Sequence, residues 1–223
     1  MGKGIIRYLI ESSLSVIYNN DENCIICNDY CHEDSFLCIK CSRKINNLNK
    51  EFNLKKDNIE LLCYSSTYYN GIVMELIKKL KYKCDFRCGE VLSNILFETI
   101  KEKQISYDIV SFVPIHRKSL SHRGFNQSKF LAKRISNYNK KPIVNCLKKI
   151  KYTKDQIGLD DDMRWENLKN SFKAVNKKYF KDKKILLIDD VFTTGATAFC
   201  CSKELLSKGA KEVIILTAAK SRV

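Results

Sequence analysis

One stretch of thirteen residues, ILLIDDVFTTGAT at 185–197, constrains this chain more than anything else in it. Four consecutive apolar residues mark a strand buried on both faces, as in a parallel sheet. Two carboxylates, Asp189 and Asp190, follow at its carboxyl end, and Thr193, Thr194, Gly195, Ala196 and Thr197 then lead into a helix. A helix N-terminus offers unpaired N–H groups and the positive end of the helix dipole, a setting suited to a phosphate monoester. Gly195 allows close backbone approach, and the threonine hydroxyls add donors. The carboxylates cannot face a phosphate, but they can accept hydrogen bonds from sugar hydroxyls beside it. A ribose 5-phosphate satisfies both halves of the motif.

Other phosphate loops do not fit. The chain contains no G-x-x-x-x-G-K-[ST] and no G-x-G-x-x-G. The segment closely resembles the signature of type I phosphoribosyltransferases. That resemblance implies that Asp189 and Asp190 hold the ribose 2- and 3-hydroxyls and that Thr193–Thr197 hold the 5-phosphate. Hypoxanthine-guanine enzymes carry an acidic candidate base where this chain has Thr193, so that substrate subclass is disfavoured.

Periodicity upstream extends the pattern. Residues 61–67 read as a strand. Asn70 can cap a helix from Gly71 whose Ile72, Val73, Leu76, Ile77 and Leu80 form one stripe. Further helices are expected at 91–100, 128–136 and 197–208, the last stopped by Gly209. Strands are expected at 108–114, 143–147, 184–190 and 213–218. Alternation of this kind predicts an α/β fold, a parallel sheet flanked by helices, with ligands at the carboxyl ends of the strands. The polar stretch 46–58 is the best domain boundary. It separates an N-terminal module, residues 1–50, from the α/β domain, residues 51–223.

A second motif, VPIHRKSLSHRGFNQ at 113–127, follows the strand at 108–114. It gathers His116, Arg117, Lys118, His122 and Arg123 into one loop. Arg117, Lys118 and Arg123 are the candidates for pyrophosphate, whose charge would be shared with Mg²⁺. RGFNQ at 123–127, then Gln156, Leu159, Arg164, Asn167 and Phe172, then IDDVFTTGAT, in that order, resemble the ComF competence-protein family. So does YNGIVMELIKKLKY at 69–82. The likeness covers nearly the whole chain. It implies a type I phosphoribosyltransferase-like fold and a role in natural transformation, handling internalised single-stranded DNA beside an uptake helicase. Lys149 and Lys151 fall where the superfamily has a mobile loop. Family members often carry Gly near the position of Cys84.

Eleven cysteines, an odd number and partly clustered, fit a reducing cytosol and a metal site better than a disulfide framework. Cys24-x-x-Cys27 and Cys38-x-x-Cys41 are two knuckles, each aiming two thiolates at one point, and together they make a tetrahedral zinc set. Cys31 and His32 lie between them as possible substitutes. Four thiolates leave no open coordination position, so the Zn²⁺ would be structural. Cys63, Cys84, Cys88, Cys146, Cys200 and Cys201 read as small apolar fillers.

The net charge is +15, from 40 basic and 25 acidic residues, which favours anionic partners. The abundance of Lys, Asn and Ile together is equally compatible with base composition. Ile6, Leu9, Ile10, Leu14 and Ile17 fall at helical spacing, Glu11 interrupts their apolar run, and no cleavage site follows, so an amphipathic helix is expected rather than a signal peptide. No apolar run is long enough for a membrane span, and with the cysteine usage above a cytoplasmic location is expected. Three functions remain in play: a phosphoribosyl-transferring enzyme, a DNA-uptake accessory protein that keeps the ligand pocket, and a scaffold. The intact acid pair and Thr-Gly loop weigh against the scaffold. No acceptor base can be read, so no catalytic residue or second substrate is named.

Overall fold

A computed structural model describes residues 22–31, 35–152 and 161–221. The expected helix at 1–18, His32, Gln156 and Leu159 lie outside the described residues, as does the side chain of Arg164. The chain divides into two compact units, one ending at Lys44 and one beginning at Ile45.

The first unit is a pair of turns. The Cys24 N–H donates to Asp29 O at 2.7 Å, and the Asn28 N–H, at φ 63°, closes back on Cys24 O at 2.9 Å. Cys38 then caps the short helix α1 (Ile39–Ser42).

The second unit is α/β. Its sheet takes the strands β1 (Asn47–Lys56), β2 (Ile59–Tyr68), β7 (Glu212–Lys220), β6 (Lys184–Phe192) and β3 (Ile109–Phe112) in that spatial order. All neighbours are parallel except β1 and β2, which form an antiparallel hairpin. Ile185, Leu186, Leu187 and Ile188 are fully buried, because β6 lies between β7 and β3 with helices over both faces. The helices α2 (Gly71–Lys83), α3 (Phe86–Glu102) and α5 (Gln127–Asn139) pack together, α3 lying on β2 and β7 and α5 on β3 and β6. Helix α7 (Ala196–Ser207) packs against β6, β7 and β2, and against a small hairpin of β4 (Leu147–Lys149) and β5 (Phe172–Ala174). The helix α6 (Asp161–Leu168) also packs on α7.

Several expectations need correction. The polar stretch 46–58, the expected domain boundary, lies just inside the second unit, which begins at Ile45. It contains β1, whose Phe52 and Leu54 alternate with exposed polar residues, the pattern of an edge strand with one wet face. Residues 143–147 give only a single parallel bridge, Ile143 to Val110, and the next strand begins at Leu147. The basic segment after β3 is not all loop: α4 (Arg117–Arg123) forms between the His116 cap and Gly124, at φ 76°. Helix α3 starts one turn earlier than expected. Its Gly89 is no breaker, since a Cβ there would lie 2.4 Å from the Phe130 ring, and the absence of one lets α3 and α5 approach closely.

Cys63, Cys88, Cys146 and Cys201 are buried and Cys200 partly so, but Cys84 is exposed. It is the C-cap of α2 in the left-handed conformation, φ 52°, a position where glycine carries least strain.

Candidate functional site

Strand β6 continues past its partner β3. The last paired position on that side is Phe112 with Ile188, and the Val113 N–H still reaches Ile188 O at 3.0 Å. Asp189 and Asp190 come next, inside β6 rather than beyond it, at the carboxyl end of the sheet where β3 has already turned away. Ligand crevices of open parallel sheets lie at such ends.

The acids are held from several directions. The Ser128 hydroxyl donates to Asp189 Oδ1 at 2.8 Å, and the Asp190 N–H donates to the same oxygen at 2.9 Å. The Val191 N–H donates to Asp190 Oδ1 at 2.8 Å. Lys81, near the end of α2, forms a salt bridge with Asp190 Oδ2, and Gln127 Nε2 lies 3.5 Å from that oxygen. Asp190 is 5% exposed and Gln127 likewise 5%; among the described residues the Gln127 amide oxygen has no hydrogen-bond partner.

The electrostatics follow from this crowding. Desolvation, then the neighbouring Asp190 charge, push the Asp189 carboxyl up to about 7, against the pull of Ser128 and Lys81. Burial alone would lower the Lys81 ammonium, but Asp190, with Asp189 behind it, holds it above its ordinary value. Lys81 therefore stays charged and offsets one of two adjacent carboxylates.

The turn after β6 is set by Gly195, at φ 81°. A Cβ there would lie 2.6 Å from Phe192 Cζ and 3.0 Å from Leu54 Cδ2. The glycine is needed for this packing as well as for its backbone angle. Thr194 Oγ1 accepts from the Ala196 N–H at 3.3 Å, and the Phe199 N–H donates to Gly195 O at 2.8 Å, opening α7. Thr193 is exposed and Thr194 and Thr197 half-buried, with Ala196 buried between them.

RGFNQ has a structural explanation. Asn126 donates to Val113 O at 3.0 Å and accepts from the Lys129 N–H at 3.1 Å, so it ties the end of β3 to the start of α5. The next two residues, Gln127 and Ser128, then face the acids. Arg117, Lys118 and Arg123 lie on α4, in the connection between β3 and α5. Arg117 and Lys118 are exposed, and Arg123 is half-buried, its guanidinium 5.5 Å from the Tyr82 ring centre. Sequence reasoning missed Lys81, Gln127 and Ser128 as partners of the acids, although Lys81 and Gln127 lie in motifs already singled out and Ser128 directly follows one. A shallow depression at the other end of the sheet, around Leu61, Glu212 and Val213, contains none of these residues.

In the first unit, Cys24, Cys27, Cys38 and Cys41 bring their sulfurs within 4.8 Å of one another, and Cys27 and Cys38 sulfurs are 3.5 Å apart. Tetrahedral zinc with sulfur at about 2.3 Å requires sulfurs somewhat under 4 Å apart. The donor set fits the metal in kind and spacing. Burial opposes it, yet backbone hydrogen bonds at Cys27, Cys38 and Ile26 pull the Cys24 thiol down to about 6. Cys31 is buried nearby but outside the group, and burial with the Cys24 charge pushes its thiol up to about 11.

Among curated proteins, Competence protein F of Haemophilus influenzae is 30% identical over 153 residues, covering 66% of this chain and 67% of that protein. The chain belongs to the competence protein F family. Competence protein ComFC of Streptococcus pneumoniae is 28% identical over 221 residues, covering 95% of this chain and 94% of its own. DNA utilization protein YhgH of Escherichia coli K12 is 26% identical over 204 residues, 85% of this chain and 86% of that one. No protein-family model matches the chain. Among solved structures, adenine phosphoribosyltransferase from Thermoanaerobacter pseudethanolicus is 12% identical, covers 81% of this chain and 98% of its own, and superposes with a TM-score of 0.42. No helix among the described residues of this family member is long and apolar enough to cross a membrane.

Proposed function

We propose that this competence protein F family member binds phosphoribosyl pyrophosphate, or a related ribose 5-phosphate ligand, at the carboxyl end of β6. It serves DNA uptake in natural transformation by handling single-stranded DNA. The observation that carries the first half is the adjacency of Asp189 and Asp190 to the turn at Gly195 that opens α7. Carboxylates able to accept from ribose hydroxyls stand one short turn from a helix N-terminus able to take a phosphate. The Gln127 amide oxygen beside Asp190, buried and without a hydrogen-bond partner among the described residues, is a further acceptor for a sugar hydroxyl. Arg117, Lys118 and Arg123 on α4 are the groups for pyrophosphate, with Mg²⁺ arriving with the ligand and neutralising its charge. The four cysteines hold one structural Zn²⁺.

The DNA half is supported by the net charge of +15 and by the relatives' names, which speak of competence and of DNA utilization. An uptake helicase is the expected neighbour on the strength of the family resemblance.

A second reading, phosphoribosyl transfer with release of pyrophosphate, is favoured by the same intact acid pair and loop. Mass spectrometry of the purified protein tests the pocket by identifying any ribose 5-phosphate carried through purification or taken up on addition of phosphoribosyl pyrophosphate and Mg²⁺. Pyrophosphate release in the presence of candidate bases separates turnover from binding. A gel-shift series with single-stranded DNA tests the other half. Binding is expected at low salt with a steep loss as salt rises, and absence of binding at low salt would remove it.

A further inference from the structure

The basic excess is not spread evenly. Residues 109–154 contain twelve lysines and arginines and no aspartate or glutamate. At the heart of this stretch is α4, RKSLSHR, which buries none of its side chains. Two exposed tyrosines from other parts of the fold flank it: Tyr82, at the end of α2 and 59% exposed, and Tyr152, after β4 and 53% exposed. Arg123 lies 5.5 Å from the centre of the Tyr82 ring. Lys118 lies 5.3 Å from the centre of the Tyr152 ring, and the His116 ring is also 5.3 Å from it. The result is one strip along the carboxyl edge of the sheet, an aromatic ring at each end and cations between.

We infer that this strip, formed by Tyr82, α4 and Tyr152, is the surface on which single-stranded DNA lies. The tyrosines serve as stacking platforms, and the α4 cations, the same groups proposed above for pyrophosphate, contact the phosphates of the strand, so the two ligands compete for them. The inference rests on the DNA half of the function proposed above and assigns it a place. Surfaces that take unpaired strands combine a cationic track with aromatic faces on which bases stack, whereas a duplex keeps its base faces stacked inside and meets such a surface mainly through its phosphates. A polypeptide partner would also need acidic side chains to match this strip; a nucleic-acid strand supplies its negative charge at every residue, whatever its sequence. Another tyrosine beside a lysine occurs at Tyr179, with Lys178 4.9 Å from its ring centre. Those two are neighbours in the chain, and Asp182 follows closely. The rim pairs, by contrast, join residues far apart in sequence. Because the strip includes Tyr82, next to Lys81, a bound strand would cross the mouth of the ribose-phosphate pocket.

The test is fluorescence anisotropy of a labelled oligothymidylate at low salt. Tyr82→Ala/Tyr152→Ala should weaken binding by at least about tenfold, since one stacked base is worth about five- to hundredfold. The same variant should bind a duplex of equal length as the wild type does and melt at the wild-type temperature. Tyr179→Ala should bind the oligothymidylate as the wild type does. A double variant that keeps wild-type affinity, or an equal loss from Tyr179→Ala, overturns the assignment of the rim and leaves the DNA reading standing. A wild type that binds no oligothymidylate at low salt sinks both.

Discussion

Lys81 on α2 and Asp190 on β6 form a salt bridge in which both side chains are largely buried, the lysine 21% exposed and the aspartate 7%. The pair joins the helix of the YNGIVMELIKKLKY motif to the strand of the IDDVFTTGAT motif. It explains how two adjacent carboxylates can occupy the end of a buried strand. One is neutralised by an ammonium, and the other titrates near neutrality.

Removing one partner leaves an uncompensated charge in a dry site. Lys81→Met is therefore expected to destabilise the α/β unit by about 3–5 kcal/mol, and Lys81→Met/Asp190→Asn to regain most of that loss. Chemical denaturation of the three proteins checks it. Equal stability of Lys81→Met and wild type would mean the ion pair is not formed.

The Asp189 carboxyl, at about 7 in the folded protein against 3.8 unfolded, makes stability depend on pH. Below 3.8 it is protonated in both states. As pH rises through that value only the unfolded chain ionises readily, so stability falls until pH passes about 7. Asp189→Asn removes this term. Its denaturation midpoint, measured against wild type from about pH 5 to about pH 8, should gain on the wild type as pH rises. Parallel curves for the two proteins contradict the shift.

Gly195 combines a left-handed backbone with side-chain contact on its α-hydrogens. Gly195→Ala should cost about 1–3 kcal/mol from strain and overpacking, and Gly195→Val more. Both should lower the melting temperature and weaken ribose 5-phosphate binding. A folded valine variant with wild-type affinity would show that the turn is not at the phosphate.

One zinc per chain is expected, held by Cys24, Cys27, Cys38 and Cys41. Cys38→Ser/Cys41→Ser should lose it, and limited proteolysis should then cut the N-terminal unit while sparing the α/β unit. Full retention of metal by that variant would exclude this ligand set.

Much of the fold was legible because buried parallel strands appear as apolar runs. Residues 185–188 are such a run, 109–112 are one broken only by the buried Ser111, and Val73, Leu76, Ile77 and Leu80 form a stripe that is buried as expected. What was missed had weak local signals. Strand β1 buries no residue fully, its Leu48, Phe52 and Leu54 being only partly covered, so its polar composition resembles a domain boundary. Helix α4 buries nothing, so it has no stripe to find. The acids and the Thr-Gly turn could be recognised because they are contiguous. Their partners could not, because Ser128 and Gln127 meet them across more than 60 residues and only the packing of α5 on β6 brings them together. Asn126 was a usable clue: a cap residue placed just before them fixes where α5 begins.

The central claim is that Asp189 and Asp190 bind the ribose of a ribose 5-phosphate. Titration calorimetry of wild type and of Asp189→Asn/Asp190→Asn with phosphoribosyl pyrophosphate and Mg²⁺ tests it most directly. A charge-assisted hydrogen bond is worth about 1.5–3 kcal/mol, so the wild type should bind and the folded double variant should bind at least about tenfold more weakly. Unchanged affinity in the folded variant would contradict the assignment of the acids, and a wild type that binds no ribose 5-phosphate would contradict the pocket itself.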